Sequence, residues 1–280
     1  MRDYFTEEQE QTIVKLYTEE KRGQLYCAKA VGSTNVKKIK EVLHKYHIPI
    51  RSFSQAATVS NKNRALKKNE EYFKIQSHNM AWLLGFLASD GTVSSSDNTI
   101  KIGLSAKDKE ILEKIKQEVE IENKIVERTT KDGFDCVDLH WTCAEHKKDL
   151  NKFGITPNKT YTLKPPQELQ EKYYIDYIRG YFDGDGSVNL IHSHGKPVSL
   201  RWQICGASKE ILEWIVDVLY IYYNIPKVSI LNSTANRKNS CYYFQYSTIA
   251  TKEIYKILYT KNSLYLKRKK ELFEKIIQMK

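Results

Sequence analysis

Apolar positions along the 280 residues follow two periods, one helical and one strand-like. Near the start, Ile13, Val14, Leu16 and Tyr17 give a helix its apolar side. Thr6 with Gln9 three residues on forms a capping-box pattern at its beginning. A second helix is predicted over residues 23–31 and stops at Gly32. A third is capped by Ser33 or Thr34, with Val36, Ile39, Leu43 and Tyr46 on one face and Asn35, Lys37, Lys38 and Glu41 outward. Amphipathic helices are predicted again over 107–119 and 209–220. Between them the period drops to two. Ile100-Lys101-Ile102-Gly103-Leu104, Leu200-Arg201-Trp202-Gln203-Ile204 and the run from Asp135 to Trp141 all alternate. Alternation of this kind predicts antiparallel sheets with one packed face and one wet face. The wet face here carries Arg, Lys, Gln and His, residue types that reach phosphates and base edges.

These patterns occur twice. Residues 83–91 read LLGFLASDG and residues 178–186 read IRGYFDGDG. Each is an apolar helix with a glycine inside it, and each ends in Asp-Gly. A glycine within a helix costs stability, so it marks a close approach by another backbone. Helices packed at Gly85 and Gly180 would bring Asp90 and Asp185 together, each carboxylate at the negative pole of its helix, where cations are favoured. That arrangement is a candidate divalent-metal site. The repeat continues through IKIGLSAKDKEIL (100–112) and LRWQICGASKEIL (200–212), which share Lys-Glu-Ile-Leu at a constant offset. A polar hairpin precedes each, the longer one predicted over 189–199. The order helix, two strands, helix, two strands, helix is thus given twice, an α+β fold built by duplication.

Charge separates the first segment from the rest. Residues 1–32 hold five Lys/Arg against six Asp/Glu, and residues 33–68 hold nine against one. The helix pattern with its basic third helix reads as a helix-turn-helix over 1–50, followed by a basic linker over 51–77. Asn35, Lys37 and Lys38 are its candidate DNA contacts, and Arg51 is the candidate for an arm entering a minor groove. The whole chain has a formal net charge of +11, which favours a polyanionic partner. Its five cysteines form an odd set without a CxxC pair, which suits a reducing compartment. Cys136, His140, Cys143 and His146 lie within eleven residues, but they straddle a strand and a helix start instead of the paired turns zinc prefers. The expectation is a cytoplasmic protein, bacterial, phage-encoded or organellar, with no membrane span.

The two motifs resemble the LAGLIDADG motif of homing endonucleases, in the two-motif, single-chain form. The resemblance covers about residues 78–280 and divides them into repeats over 78–168 and 169–280. It implies two pseudo-symmetric αββαββα repeats forming a DNA-binding saddle. It also implies a monomer that cleaves both strands of a long asymmetric double-stranded site with Mg²⁺ (or Mn²⁺). The eighth motif position carries the metal, so Asp90 and Asp185 are the implied ligands, joined by the carbonyls of Ser89 and Gly184. The first motif departs from the family at Ala88, where an acid is common; Asp183 holds that place in the second. The segment from Gly154 to Lys159 is similar to the family's stretch bearing a basic catalytic residue, which makes Lys159 the candidate. In the second repeat Leu266-Lys267-Arg268-Lys269 holds the possible counterparts, Lys269 among them. Implied DNA contacts are Lys101, Arg201, Gln203, Arg237 and Lys238. Two alternatives stay open: a non-cleaving transcription regulator on the same scaffold, and a maturase binding intron RNA.

Overall fold

The computed structural model describes residues 5–56, 66–194, 196–233, 241–259 and 264–278. The chain divides into two units, 1–66 and 67–280.

The first unit is three helices, α1 (Glu7–Thr18), α2 (Gln24–Ala30) and α3 (Val36–Lys45). Ile13, Tyr17, Cys27, Ile39 and Leu43 close its core. The capping box forms: the Thr6 hydroxyl accepts from Gln9 N at 3.3 Å, and the Gln9 side chain accepts from Thr6 N at 2.9 Å. The expected cap of α3 shifts by one or two residues. Asn35 is the cap, its Oδ1 accepting from the backbone N–H of Lys37 at 3.0 Å and of Lys38 at 3.4 Å. Ser33 accepts from Asn35 N at 3.1 Å instead. A short Asx side chain reaches the first orphan donors of a helix as well as a hydroxyl does. Arg51, expected to reach out to DNA, is engaged inside this unit. Its guanidinium lies 3.9 Å from the Tyr17 ring centre and donates to the carbonyls of Tyr17 and Arg22, the latter at 2.9 Å. The Tyr17 carbonyl lies in the last turn of α1, where no helical donor is available, and Arg22 lies just beyond it.

The second unit gives the same run of elements twice. The first repeat holds α4 (His78–Ser89), β1 (Gly91–Val93), β2 (Thr99–Ser105), α5 (Lys109–Glu118), β3 (Val126–Thr129), β4 (Asp135–Thr142) and α6 (Ala144–Lys152). The second holds α7 (Tyr174–Asp185), β5 (Gly186–Ser193), β6 (Lys196–Gly206), α8 (Lys209–Tyr223), β7 (Leu231–Asn232), β8 (Tyr242–Ser247) and α9 (Thr248–Leu258), followed by α10 (Lys267–Gln278). Each repeat makes a four-stranded antiparallel sheet, in the orders β1-β2-β4-β3 and β5-β6-β8-β7. The fold is therefore α+β with two equivalent sheets, as the duplication in the sequence predicts. The alternation holds as well. Ile100, Ile102, Trp141, Trp202 and Ile204 are fully buried, while Lys101, Arg201 and Gln203 point to the other face. The longer polar hairpin expected over 189–199 forms within the β5–β6 ribbon, where Asn189 pairs with Arg201 and Ile191 with Ser199.

Helices α4 and α7 form the centre. Residues 80–88 and 175–183 are buried throughout, which is why both motifs are apolar on nearly every side. The glycines set the approach. A Cβ on Gly85 would lie 1.9 Å from the Tyr177 carbonyl oxygen, and one on Gly180 would lie 1.9 Å from that of Trp82. Trp82 precedes Gly85 by three residues, as Tyr177 precedes Gly180. The contact is thus reciprocal, the signature of a two-fold interface retained within one chain.

Candidate metal centre at the paired helix ends

Asp90 caps the C-terminal end of α4, and Asp185 is the last residue of α7. The helix ends are in contact at the motif. A Cβ on Gly184 would meet the Ser89 hydroxyl at 1.9 Å and the Asp90 carboxylate at 3.2 Å, so only glycine leaves room there for the Ser89 and Asp90 side chains. Burial raises the Asp90 carboxyl above its usual range, against the opposing charges of Lys269 and Lys159. Asp185 retains exposed surface, yet protein atoms crowd its carboxyl. That crowding, followed by the Asp90 charge, pushes its carboxyl up to about 6, again against the two lysines.

Both lysines are buried. Lys159 follows Asn158, whose left-handed backbone (φ 57°) turns the chain inward, and its ammonium donates to the Gly91 carbonyl. Lys269, in the first turn of α10, donates to the carbonyls of Phe182, Gly184 and Gly186, each at 2.7 Å. Gly91 and Gly186 are equivalent positions, so the two ammonium groups meet equivalent carbonyls. Burial lowers the affinity of both for their proton, to about 8 at Lys269, while the neighbouring carboxylates oppose the shift. The Gly184 carbonyl, an expected metal ligand, is thus in the hands of Lys269.

Asp183, at the place Ala88 holds in the first motif, is a structural acid. Its Oδ2 accepts from the Trp82 indole at 2.8 Å and from Leu266 N at 2.9 Å, while Oδ1 has no hydrogen-bond partner. Burial pushes this carboxyl up to about 6. The reciprocal pair in the other direction is Tyr177 against Ala88, and the Tyr177 hydroxyl is buried without a partner.

The wet faces differ between the sheets. On the first, Asp138 accepts from Arg128 at 2.6 Å and pairs with Lys101 at 3.0 Å. Burial works to raise this carboxyl, but the two cations outweigh it and hold it below its usual range. A Cβ on Gly103, its cross-strand partner, would crowd the carboxylate at 2.7 Å. On the second, Arg201 stands opposite Asn189 and Ser247, and Gln203 opposite Ser187 and Gln245, all without carboxylates. The Gln203 amide contacts the Cys205 sulfur at 3.1 Å. Asp138 was legible in the period-two run it shares with His140; Arg128 was not, because all four residues of β3 are exposed and none marks a core face. Arg237 and Lys238 lie outside the described residues. His146 is satisfied within the fold, accepting from Trp141 Nε1 at 2.9 Å and contacting the Asn69 carbonyl at 2.7 Å.

Two carboxylates and main-chain carbonyls are hard oxygen donors, the set suited to Mg²⁺, Mn²⁺ or Ca²⁺. Among the described residues no three His, Cys, Asp or Glu side chains gather around one point, so such an ion would draw on these two acids, carbonyls and water. Burial, followed by the Asp90 charge, raises Asp185, and a bound divalent cation would offset both. The residues fit the group.

The fold and the paired acids define a duplicated α+β protein with two acids at the ends of reciprocal helices. Residues 77–142, which hold the first motif, match the family model described as a LAGLIDADG-like domain. An uncharacterized protein of Methanocaldococcus jannaschii is 23% identical over 213 residues, covering 73% of this chain and 72% of that one. Among solved structures, the LAGLIDADG meganuclease I-AabMI bound to uncleaved DNA is similar with a TM-score of 0.47 and 14% identity, covering 73% of this chain and 91% of that chain. The I-LtrWI LAGLIDADG homing endonuclease bound to target DNA is similar with a TM-score of 0.46 and 17% identity, covering 75% and 91%. Among the described residues no helix is long and apolar enough to cross a membrane.

Proposed function

We propose that this protein binds double-stranded DNA on its two sheet faces and hydrolyses a phosphodiester bond in each strand, with divalent metal held by Asp90 and Asp185. The observation that carries this reading is the pair of motif acids at the ends of reciprocal helices, each acid within electrostatic reach of two buried lysines. Asp90 and Asp185 would hold the metal, with the Ser89 carbonyl beside them and the Gly184 carbonyl shared with Lys269. When bound, Mg²⁺ or Mn²⁺ supplies Lewis acidity and a water acidic enough to attack phosphorus. Lys159 sets a positive charge beside both acids, where it stabilises charge developing on the phosphate. Lys101, Arg128, Arg201, Gln203 and the first unit's Lys37 and Lys38 would contact the DNA. One chain supplies both acids, so a monomer suffices and the site it reads is asymmetric.

Asp90→Asn and Asp185→Asn are expected to abolish Mg²⁺-dependent cutting of the cognate site while DNA binding persists in Ca²⁺. Cutting at the wild-type rate by either variant refutes the metal assignment. Specific binding by the wild-type chain with no cutting in Mg²⁺ or Mn²⁺ would instead identify a regulator built on the same scaffold.

A further inference from the structure

The two buried lysines meet equivalent carbonyls but are not equivalently held. An ammonium has three N–H donors. Those of Lys269 face three carbonyls at the same 2.7 Å, all on the end of α7 and the turn into β5. Phe182 O also accepts from the capping Gly186 N–H, whereas the Gly184 carbonyl lies in the last turn of α7, where a helix has no donor of its own to offer. The lysine is delivered by a segment fastened on both sides of it. Leu266 N donates to Asp183, and the Arg268 guanidinium grips Asp108 of the first repeat at 3.0–3.3 Å. Lys159 presents a contrast. Among the described residues its ammonium makes one hydrogen bond, to the Gly91 carbonyl, which leaves two donors.

We propose that Lys269 is a positioning residue: its ammonium serves as a resident cation that binds the Phe182, Gly184 and Gly186 carbonyls and so fixes the turn that carries Asp185. Lys159 alone retains donors for an incoming anion. The two lysines therefore divide one role into two, the first repeat supplying the group that meets substrate and the second supplying a fixed backbone. The proposal rests on the reading above only in taking Asp185 as a working acid.

The test uses the full-length, metal-free protein without DNA, so a failure of the cleavage reading leaves it standing. The chain has twelve glycines, which makes ¹³C-carbonyl labelling at glycine tractable. Lys269→Ala should shift the Gly184 and Gly186 carbonyl resonances and lower the melting temperature by roughly 5 °C or more. Methylammonium chloride should return both toward wild type, in proportion to its concentration, where sodium chloride at equal ionic strength does not. Lys159→Ala should shift Gly91, leave Gly184 and Gly186 in place, and show a smaller response to methylammonium. Unmoved Gly184 and Gly186 resonances in Lys269→Ala, or equal rescue by sodium, overturns the proposal. If Lys269→Ala does not fold in sodium chloride, folding restored by methylammonium supports it, and no folding in either salt overturns it.

Discussion

The two repeats share a skeleton and differ in nearly every polar group attached to it. Strand order, the reciprocal glycine contact, the motif acid and the lysine on the following glycine's carbonyl are common to both. The second repeat has Asp183 where the first has Ala88, a triply bound lysine where the first has a singly bound one, and a sheet face whose Arg201 has no carboxylate opposite it where Asp138 partly neutralises Lys101 and Arg128. The shared features are those set by backbone geometry, where a single added carbon collides with a carbonyl. The divergent ones are side chains that need only find some partner. Duplication within one chain thus keeps the frame two-fold while freeing each half to specialise.

Breaking the shared frame should have the largest effect. Gly85→Ala or Gly180→Ala places a methyl against a main-chain carbonyl that cannot move without parting the helices. Either is expected to cost more than about 3 kcal/mol in urea unfolding, and by similar amounts if the contact is truly reciprocal. Unequal losses, with one variant near wild type, would show the two-fold to be nominal.

An intermediate effect should separate the halves. Asp183→Ala strands the Trp82 indole and Leu266 N in a buried site, for a loss of about 2–3 kcal/mol. Tyr177→Phe, at the position equivalent to Trp82, deletes a hydroxyl that has no partner and is expected to leave stability unchanged or raise it by up to about 1 kcal/mol. Calorimetry that finds the same sign for both removes the asymmetry.

The smallest effect concerns the acids. The folded carboxyls of Asp185 and Asp183 sit near 6, above their unfolded value near 3.8, so the fold binds more protons than the unfolded chain between those limits. These groups therefore make the metal-free protein less stable as pH rises from about 4 to about 6. Asp185→Asn removes its share and should stabilise the metal-free protein at pH 7 by about 1 kcal/mol. That is less than a two-unit shift converts to, because Asp185 faces solvent. The gain should vanish below pH 4; a gain that persists there would trace to packing instead of charge.

Much of this was readable in the residues. The duplication, the glycines, both motif acids and the alternating strands follow from periodicity and repetition, which report backbone geometry directly. Lys159 stood out only through the resemblance of the Gly154 to Lys159 segment to the family's basic stretch. What escaped was whatever depends on distant pairing. Nothing local marks Asp183 as the partner of Trp82, 101 residues earlier, or Arg268 as the partner of Asp108, 160 residues away. Arg51 was misread for the same reason: an arginine in a basic stretch looks solvated until the carbonyls and tyrosine ring it covers are known.

The seating of α10 also sets an order in time. Lys269 closes onto carbonyls 83 to 87 residues behind it, and Arg268 onto an acid 160 residues behind. A ribosome adding about 5–20 residues per second makes residue 269 roughly 4–17 s after α7 is complete and roughly 1–4 s after β8. Contacts spanning such long stretches of chain are also slow to form. The turn bearing Asp185 is therefore fastened last. A nascent chain can fold its scaffold while the turn that carries Asp185 is still loosely held.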